Sequence, residues 1–222
     1  MFDNIAPTYD RLNHTLSLNI DRLWRRRTVK MVARYAPKTI LDMATGTGDL
    51  ALVMARRMPQ AEITGIDLSE GMLEVARQKA SRTELAHRVK FEVGDAEHIN
   101  HADGSFDAAT VAFGVRNFGD IEQGLCEMAR VLRVGGRIFV LEFSTPRNRF
   151  IRWAYGIYSH KILPRIGGAI SHDRAAYQYL PESVEEFPSP ERFMEIMRRA
   201  GLKECHARSL TFGIAHIYIG IK

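Results

Sequence analysis

Short apolar segments alternate with segments of helical periodicity through the middle of this 222-residue chain. The apolar segments are rich in β-branched residues, and they predict five strands: Thr39 to Met43, Glu62 to Ile66, Val89 to Val93, Phe106 to Phe113 and Arg137 to Phe143. The segments between them predict helices at Asp49 to Met58, Ser69 to Ala80 and Asp120 to Leu132, with Ser69 as an N-cap. This alternation predicts a doubly wound α/β fold with a parallel sheet, in which ligands bind beyond the carboxyl ends of the strands.

Three further segments flank the alternation. The tail predicts an amphipathic helix from Ser189 to Ala200 and two strands, Glu204 to Ser209 and Ile214 to Ile221, close enough to pair as a hairpin. Residues 1–36 predict a helical lead-in, and Thr145 to Ser183 is an insertion between the fifth strand and the last helix. No repeat, low-complexity stretch or Pro/Gly-rich linker divides the chain, so all 222 residues are predicted to form a single domain.

Composition excludes several classes of protein. Apolar residues make up 45% of the chain and charged residues 26%, which is typical of a folded globular domain. Cys126 and Cys205 lie outside any ligand spacing, so no metal site is predicted. The first residues lack the features of a secretory signal and no apolar run could span a bilayer, so we expect a cytoplasmic protein. The net charge of +5 describes nonspecific attraction and assigns no partner.

The most informative stretch is Leu41-Asp42-Met43-Ala44-Thr45-Gly46-Thr47-Gly48-Asp49, where a predicted strand turns through two glycines into a helix. Taken alone it is ambiguous, because Gly46 to Ala51 also satisfies the dinucleotide pattern G-x-G-x-x-A, and a glycine pair after a strand is often only a tight turn. Asp49 would stand at the helix N-terminus, where its carboxylate would repel a pyrophosphate. S-adenosylmethionine has a sulfonium and an aminium but no phosphate, so acidic residues beside the loop favour it.

Two more acidic residues follow the next two predicted strands. Asp67 ends the second strand nineteen residues after Gly48, the spacing at which an acid binds ribose hydroxyls, although a helix-capping role is also open. Gly94-Asp95-Ala96 follows the third strand, where the Asp95 carboxylate can accept from an adenine amino group and the next amide can donate to the ring. Three acids at one sheet edge predict an S-adenosylmethionine site, whereas a nicotinamide enzyme needs only the second of them.

Several motifs together resemble the ubiquinone/menaquinone biosynthesis C-methyltransferases. They are the glycine loop, Gly-Asp-Ala-Glu after the third strand, Phe113-Gly114-Val115-Arg116-Asn117, Arg130-Val131-Leu132-Arg133-Val134-Gly135-Gly136-Arg137 and Leu141-Glu142-Phe143-Ser144. Two similar motifs extend the resemblance over nearly the whole chain: Phe2-Asp3-x-Ile5-Ala6-x-x-Tyr9-Asp10-x-Leu12-Asn13 and Tyr177-x-Tyr179-Leu180-x-Glu182-Ser183. The resemblance implies a class I methyltransferase fold, which is Rossmann-like and has a mostly parallel seven-stranded sheet with an antiparallel C-terminal strand.

The resemblance also implies which residues bind S-adenosylmethionine. Thr47, Asp67, Asp95 and Ala96 match the family's cofactor contacts, and Ala112 departs from members that place a serine there. With the loop glycines and the neighbour of Asp67, the predicted set is Gly46, Thr47, Gly48, Asp67, Leu68, Asp95 and Ala96.

The acceptor is implied in the same way. The lead-in is most similar to those of members that methylate demethylmenaquinol on its ring, while a ubiquinone-pathway benzoquinol or another small hydrophobic acceptor stays open. The ring carbon attacks only when the adjacent hydroxyl loses its proton. Arg116 and Asn117 follow the fourth strand, where the acceptor would sit, and Tyr177 and His172 are further catalytic candidates. Arginine is no base in proteins, so Arg116 would stabilise the phenolate or fix a water, with a plain salt bridge as the alternative.

The insertion is basic and rich in aromatic residues. Between Thr145 and His172 it has no acidic residue and five basic ones: Arg147, Arg149, Arg152, Lys161 and Arg165. Because a polyprenyl tail has to be drawn from a bilayer, this composition predicts a lid with transient contact to the membrane surface. The alternative is a helix that only covers the sheet edge. The predicted location is cytoplasmic, with peripheral contact at the inner face of the cell membrane.

Other function classes fit less well. Amino-methylating nucleic-acid methyltransferases carry an Asn/Asp-Pro-Pro-aromatic motif after the fourth strand, where this chain has Ala112-Phe113-Gly114-Val115, so nucleic acid is not predicted as a partner. A nicotinamide-dependent oxidoreductase and a noncatalytic membrane-binding module are alternatives that ligand-binding tests would separate. A homo-oligomer is compatible with the sequence.

Overall fold

The structure is a computed structural model that describes residue 6 and residues 9–10, 13–158 and 181–222. Its centre is a seven-stranded sheet with the strand order β3-β2-β1-β4-β5-β7-β6. The strands are β1 (Thr39–Met43), β2 (Glu62–Asp67), β3 (Val89–Val93), β4 (Phe106–Ala112), β5 (Leu132–Phe143), β6 (Lys203–Leu210) and β7 (Ala215–Ile221). β1 to β5 pair in parallel, and β7 lies antiparallel between β5 and β6. The predicted class I methyltransferase fold is therefore confirmed.

Within the described residues, six longer helices connect or flank these strands. They are α1 (Ile20–Val32), α2 (Asp49–Arg57), α3 (Glu70–Ser81), α4 (Ile121–Val131), α5 (Arg149–Ile157) and α6 (Pro190–Arg199). Ser69 caps α3 as predicted, since its hydroxyl accepts a hydrogen bond from the Met72 amide. The Asp120 carboxylate caps α4 in the same way. The chain therefore places its helix starts where short polar side chains can satisfy the first free amides.

The sheet is covered on both faces by separate apolar layers. On one face, α1 and α2 contribute Trp24 and Met54 to a core cluster that includes Ile40 of β1. On the other, α4 and α6 contribute Met128 and Phe193 to a cluster that includes Leu41, the next residue of β1. Burial on both faces is why the central strands have continuous apolar sequences instead of an alternating pattern.

The fifth strand differs from its prediction. It begins at Leu132 instead of Arg137, directly after α4. Its pairing with β4 is irregular, because Phe106 pairs with Leu132 whereas Ala108 pairs with Arg137. Gly135 in this irregular stretch has a φ of 80°, a left-handed conformation that glycine adopts without strain. The first residues of β5 form a polar, glycine-rich bulge, so the pattern of apolar residues does not predict where this strand begins.

The lead-in and the insertion are described in part. α1 provides the predicted lead-in helix, and residues 13–16 and 181–186 are also helical. α5 occupies the first third of the insertion. Several residues of the predicted motifs and of the insertion lie outside the described residues: Phe2, Asp3, Ile5, Leu12, Lys161, Arg165, His172, Tyr177, Tyr179 and Leu180. No described helix combines the length and the apolarity that are needed to cross a membrane.

Candidate active site

The strands β1 and β4 lie side by side and turn sharply at their carboxyl ends. Ala44, after β1, has a φ of 49°, and Phe113, after β4, has a φ of 59°. A Cβ on Gly114 would lie 2.5 Å from the Cβ of Ala44, so the two turns approach too closely for any other residue. Left-handed backbone at non-glycine residues is costly and concentrates at functional sites. These turns lie at the carboxyl end of the sheet, where two cavities meet.

The first cavity has a volume of about 400 Å³ and lies beyond the carboxyl ends of β1 to β4. Six of the seven residues predicted to bind the cofactor line it: Gly46, Thr47, Asp67, Leu68, Asp95 and Ala96. The seventh, Gly48, does not. A Cβ on Gly48 would lie 2.9 Å from a ring carbon of Phe91, so this glycine permits close packing between α2 and the sheet and is not itself a cavity wall.

Asp67 holds the glycine loop in place. Its Oδ2 accepts a hydrogen bond from the Gly46 amide at 2.7 Å, and its Oδ1 accepts one from the Ser69 amide at 3.0 Å. Because each carboxylate oxygen has two acceptor positions, an aspartate that holds a loop in this way can also accept from a ligand hydroxyl. The helix-capping alternative and the ligand-binding prediction are thus compatible, because one side chain can do both.

A fully buried acid that the sequence analysis did not single out supports the same loop. Asp42, in β1, accepts hydrogen bonds from the hydroxyls of Thr45 at 2.7 Å and Thr110 at 2.6 Å. Burial raises the pKa of Asp42 to about 6, although these two hydrogen bonds oppose the shift. The sequence feature that could have identified Asp42 is its position within the glycine-loop motif.

A network of charges joins the lead-in to the loop. Lys79 Nζ, on α3, lies 2.6 Å from Asp10 Oδ2 and 2.5 Å from Asp49 Oδ1. His14 Nε2 lies 3.2 Å from Asp49 Oδ2, and the Thr47 hydroxyl donates to Asp10. Burial raises the pKa of Asp49, but hydrogen bonds from His14 and Lys79 outweigh it and the pKa falls well below its usual range. The lead-in therefore covers the first cavity and is attached to it by ion pairs.

The donor set of this cavity fits S-adenosylmethionine better than a dinucleotide. Asp67 and Asp95 place carboxylate oxygens in the cavity at the ends of β2 and β3, where they can accept hydrogen bonds from hydroxyl or amino groups. The N-terminus of α2 is occupied by Asp49, whose oxygens are paired to His14 and Lys79. A pyrophosphate has no access to that helix end, whereas a phosphate-free ligand does not need it.

The second cavity has a volume of about 320 Å³ and is mostly apolar. Its walls come from α1, α5 and the turn between β6 and β7, and include Leu16, Ile20, Trp24, Phe143, Ile151, Tyr155 and Ile214. Four residues line both cavities: Tyr9, Asn13, Arg25 and Phe113. The two cavities are therefore adjacent and meet at a shared junction.

Aromatic contacts fix the geometry of the junction. The Phe113 ring packs on Phe143 with centroids 4.6 Å apart and on Trp24 at 6.1 Å. The guanidinium of Arg25 lies over the Phe113 ring, with Cζ 5.0 Å from its centroid. Burial raises the pKa of Tyr9, which keeps its phenol protonated and able to donate. Sequence reasoning assigned no role to Tyr9 or Arg25, although the N-terminal motif contains the tyrosine.

Arg116 lines the second cavity but is also part of a buried ion pair. Its Nη1 lies 2.9 Å from Glu142 Oε1, and the two side chains are 8% and 0% exposed. Burial raises the pKa of Glu142, against the effect of the nearby arginine. The salt bridge is therefore present, and because Arg116 also lines the second cavity, its contact with the acceptor stays a prediction.

Asn117 does not share a cavity with Arg116. It lines the first cavity, not the second. Val115–Asn117 form a single 3₁₀ turn, in which successive side chains point about 120° apart, so neighbours on this turn face different cavities. His172 and Tyr177, the other catalytic candidates, lie outside the described residues.

Comparison with known proteins places the whole chain in one group. The ubiE/COQ5 methyltransferase family model matches residues 1–222. A demethylmenaquinone methyltransferase of Thermus thermophilus is 49% identical over 220 residues, which are 99% of each chain. A ubiquinone/menaquinone biosynthesis C-methyltransferase UbiE of Geotalea daltonii is 51% identical over 224 residues, covering 100% of this chain and 94% of the relative. An Aquifex aeolicus SAM-dependent methyltransferase structure shares the fold, with a TM-score of 0.66, 18% identity and coverage of 90% and 93%.

Proposed function

This chain belongs to the ubiE/COQ5 methyltransferase family, and we propose that it transfers a methyl group from S-adenosylmethionine to the ring of demethylmenaquinol, giving menaquinol. The observation that carries the proposal is the pair of adjoining cavities. One is bordered by several acids, the other is almost entirely apolar, and among the described residues they meet at Tyr9, Asn13, Arg25 and Phe113. A methyl donor and a hydrophobic ring acceptor need two such sites in contact.

The protein's role toward the cofactor is to bind it and to orient its methyl group. S-adenosylmethionine supplies an electrophilic methyl group on its sulfonium. The carboxylates of Asp67 and Asp95 would accept hydrogen bonds from the ribose and adenine groups, and the amide of Ala96 would donate to the adenine ring. Holding donor and acceptor in line can supply about 7 to 11 kcal/mol of the barrier reduction. Binding by loops at strand ends suits this role, because the sheet fixes their positions.

On the acceptor side, the apolar walls would enclose the quinol ring and exclude water. Trp24, Phe113 and Phe143 pack on one another and would form an aromatic wall beside the quinol ring. Tyr9, held protonated, can donate to a quinol oxygen at the junction. Arg116 lines this cavity and would stabilise the phenolate or orient a water that removes the hydroxyl proton. His172 and Tyr177 stay candidates for the proton acceptor.

The described part of the insertion supports peripheral membrane contact. Ile151 and Tyr155 of α5 line the second cavity, while Phe150 and Trp153 are exposed and stack on each other with centroids 6.0 Å apart. One face of α5 therefore borders the acceptor and the other presents aromatic rings outward. Interfacial helices place aromatic residues in this way. We propose that the protein works in the cytoplasm, at the inner face of the membrane.

The test is product analysis with purified protein and S-adenosylmethionine labelled in its methyl group. Reduced demethylmenaquinone and a reduced demethylated benzoquinone are offered separately, and NMR distinguishes a ring methyl from an O-methyl product. We expect a C-methylated naphthoquinol as the main product. A preference for the benzoquinol would move the function to the ubiquinone pathway, as the naming of some relatives allows. Transfer to neither quinol would refute the proposal.

A further inference from the structure

The outer face of α1 carries a row of basic side chains. Arg22, Arg26 and Lys30 are spaced four residues apart and Arg27 lies beside them, and all four are exposed. No ion pair or hydrogen bond joins any of the four to another side chain in the described parts of the chain. We call these four residues the α1 basic stripe. Four uncompensated cations on one helix face form a local positive field that attracts anions.

The opposite face of α1 is built into the molecule. Trp24 and Thr28 are buried there, and Ile20 and Arg25 line the second cavity. At about 100° of rotation per residue, the stripe and the buried side chains occupy opposite sides of the helix. The helix that forms a wall of the acceptor cavity therefore presents its cations away from the core.

Exposed apolar side chains lie beside the second cavity, just before the start of α1 and on the turn between β6 and β7. Leu18 is 74% exposed and also lines this cavity. Phe212 is 78% exposed and lies between Thr211 and Ile214, which line it too. Trp24 Nε1 donates to Thr211 Oγ1 at 2.9 Å, which holds this turn against α1. Large apolar side chains exposed around a cavity opening mark a contact surface.

We propose that the α1 basic stripe binds the surface of an anionic lipid bilayer, with Leu18 and Phe212 entering the headgroup layer. The cations would hold lipid phosphates while the opening of the acceptor cavity faces the membrane. This inference rests on the proposed function in one respect, since a prenylated acceptor resides in a bilayer. It adds α1, a helix outside the insertion, as the principal lipid-binding surface.

The apolar neighbours decide between a bilayer and a nucleic acid. Both are polyanions that a basic helix face attracts. A nucleic-acid backbone offers no apolar layer to Leu18 and Phe212, and Leu23, exposed beside Arg22 and Arg26, would also face water. In a membrane interface, cations beside aliphatic and aromatic side chains form one continuous contact.

The test is cosedimentation of the full chain with vesicles of phosphatidylglycerol and phosphatidylcholine, compared with vesicles of phosphatidylcholine alone. The variant Arg22→Gln/Arg26→Gln/Lys30→Gln is expected to bind the anionic vesicles about 100-fold more weakly. Its matched control is Arg56→Gln/Arg57→Gln/Arg82→Gln. These arginines are exposed at the C-terminal ends of α2 and α3, and their replacement removes the same charge. The control is expected to bind within about twofold of wild type, because distant charges are screened.

A second variant tests the apolar contact. Phe212 has a φ of 58°, which asparagine tolerates, so Phe212→Asn should fold and lose about fivefold in vesicle binding. Equal loss in the triple variant and its control would overturn the proposal. So would wild-type binding to neutral and anionic vesicles alike, or binding to duplex DNA that needs the stripe while vesicle binding does not.

A separate readout distinguishes this inference from the proposed function. Methylation of a short-chain demethylmenaquinol in detergent micelles should be the same for wild type and the triple variant, because the stripe lines neither cavity. Absence of that activity in wild type would refute the proposed function and leave the vesicle result to stand by itself.

Discussion

The two cavities are built in different ways. The cofactor cavity takes its predicted contacts from loops that directly follow β1, β2 and β3, so each contact lies within a short motif. The acceptor cavity is assembled from α1, α5 and the turn between β6 and β7, which are far apart in the chain. Binding by strand-end loops can be inferred from local sequence, whereas a cavity made by distant elements depends on tertiary packing.

Their electrostatics differ as well. The cofactor cavity is bordered by acids, and Lys79 and His14 pair with one of them, Asp49. In the acceptor cavity the two arginines are each paired with a buried carboxylate, Arg25 with Asp21 and Arg116 with Glu142. If the second cavity binds the acceptor as proposed, it would therefore present hydrogen-bond donors to a phenolate without carrying a large net charge. Variants at four positions, Arg116, Asp67, Asp42 and Lys79, test how the two cavities differ.

The largest effect is expected for Arg116→Ala. Turnover should fall about 100-fold or more, the scale of losing one donor to a developing oxyanion, while cofactor affinity stays nearly intact. Arg116→Lys should rescue little, because a point charge does not reproduce a planar fork of donors. Single-turnover methylation of reduced demethylmenaquinone gives the rate, and calorimetry gives the cofactor affinity. Unchanged turnover would pass the role to His172 or Tyr177.

Stability has to be separated from chemistry in this experiment. Removing Arg116 leaves Glu142 buried without its partner, which should cost about 3 to 5 kcal/mol of folding free energy. The double variant Arg116→Met/Glu142→Leu removes both charges and should recover most of that stability without recovering turnover. Full activity in the double variant would make Arg116 a structural residue only. Activity loss that follows cofactor affinity would assign it to the cofactor side.

Asp67→Ala should act on the cofactor side alone. Cofactor binding is expected to weaken by about 1.5 to 3 kcal/mol, the usual value of hydrogen bonds to a charged group. Because Asp67 also accepts from the amides of Gly46 and Ser69, the loop should loosen, and Asp67→Asn should lose less. Isothermal titration gives both affinities, and the quinol KM should not move. An unchanged cofactor dissociation constant would place the ribose contact elsewhere.

The buried acid Asp42 predicts a pH effect on stability. Its folded pKa is raised from 3.8 to about 6, so it stabilises the fold fully below the unfolded pKa and loses that contribution as pH rises through about 6. Relative to Asp42→Asn, the wild type should therefore lose roughly 2 kcal/mol of unfolding free energy between about pH 4.5 and pH 8. Urea unfolding of both proteins measures this. A constant difference across that range would contradict it.

The smallest effect is expected for Lys79→Met, which removes the cation between Asp10 and Asp49. These groups are partly exposed, so the loss should be only about 1 kcal/mol in cofactor affinity. Arg77→Met is the matched control, since Arg77 lies on the same helix and pairs with the exposed Glu70. Stopped-flow measurement should show faster cofactor release only for Lys79→Met. Equal release rates would mean that the lead-in does not hold the cofactor in place.

Sequence reasoning was most successful where one local pattern decides the structure. β1 and β3 have the predicted bounds, because strands buried on both faces form continuous apolar runs. β5 was predicted five residues late because its first residues form a polar bulge. Six predicted cofactor residues line one cavity, whereas Gly48 packs against Phe91 instead.

The remaining site residues depend on pairings between distant segments. Lys79 carries no motif, and its contacts with Asp10 and Asp49 arise only when α3 meets the lead-in. The same is true of Arg116, whose partner Glu142 lies at the end of the neighbouring strand. Composition and periodicity do not specify which of many charged residues become partners, so these contacts require the folded structure.

The hydrogen bond between Trp24 and Thr211 spans 187 positions of the chain. During synthesis, all the described walls of the cavity proposed for the cofactor have been made once residue 119 has left the ribosome, because Gly119 is the last of the described residues that line it. The acceptor cavity is incomplete until residues 211 and 214 emerge, and β7 must then insert between β5 and β6. Nascent chains should thus be able to form a cofactor site before a substrate site exists. Ribosome-bound chains truncated before residue 211 would then be protected from proteases by the cofactor and not by the quinol.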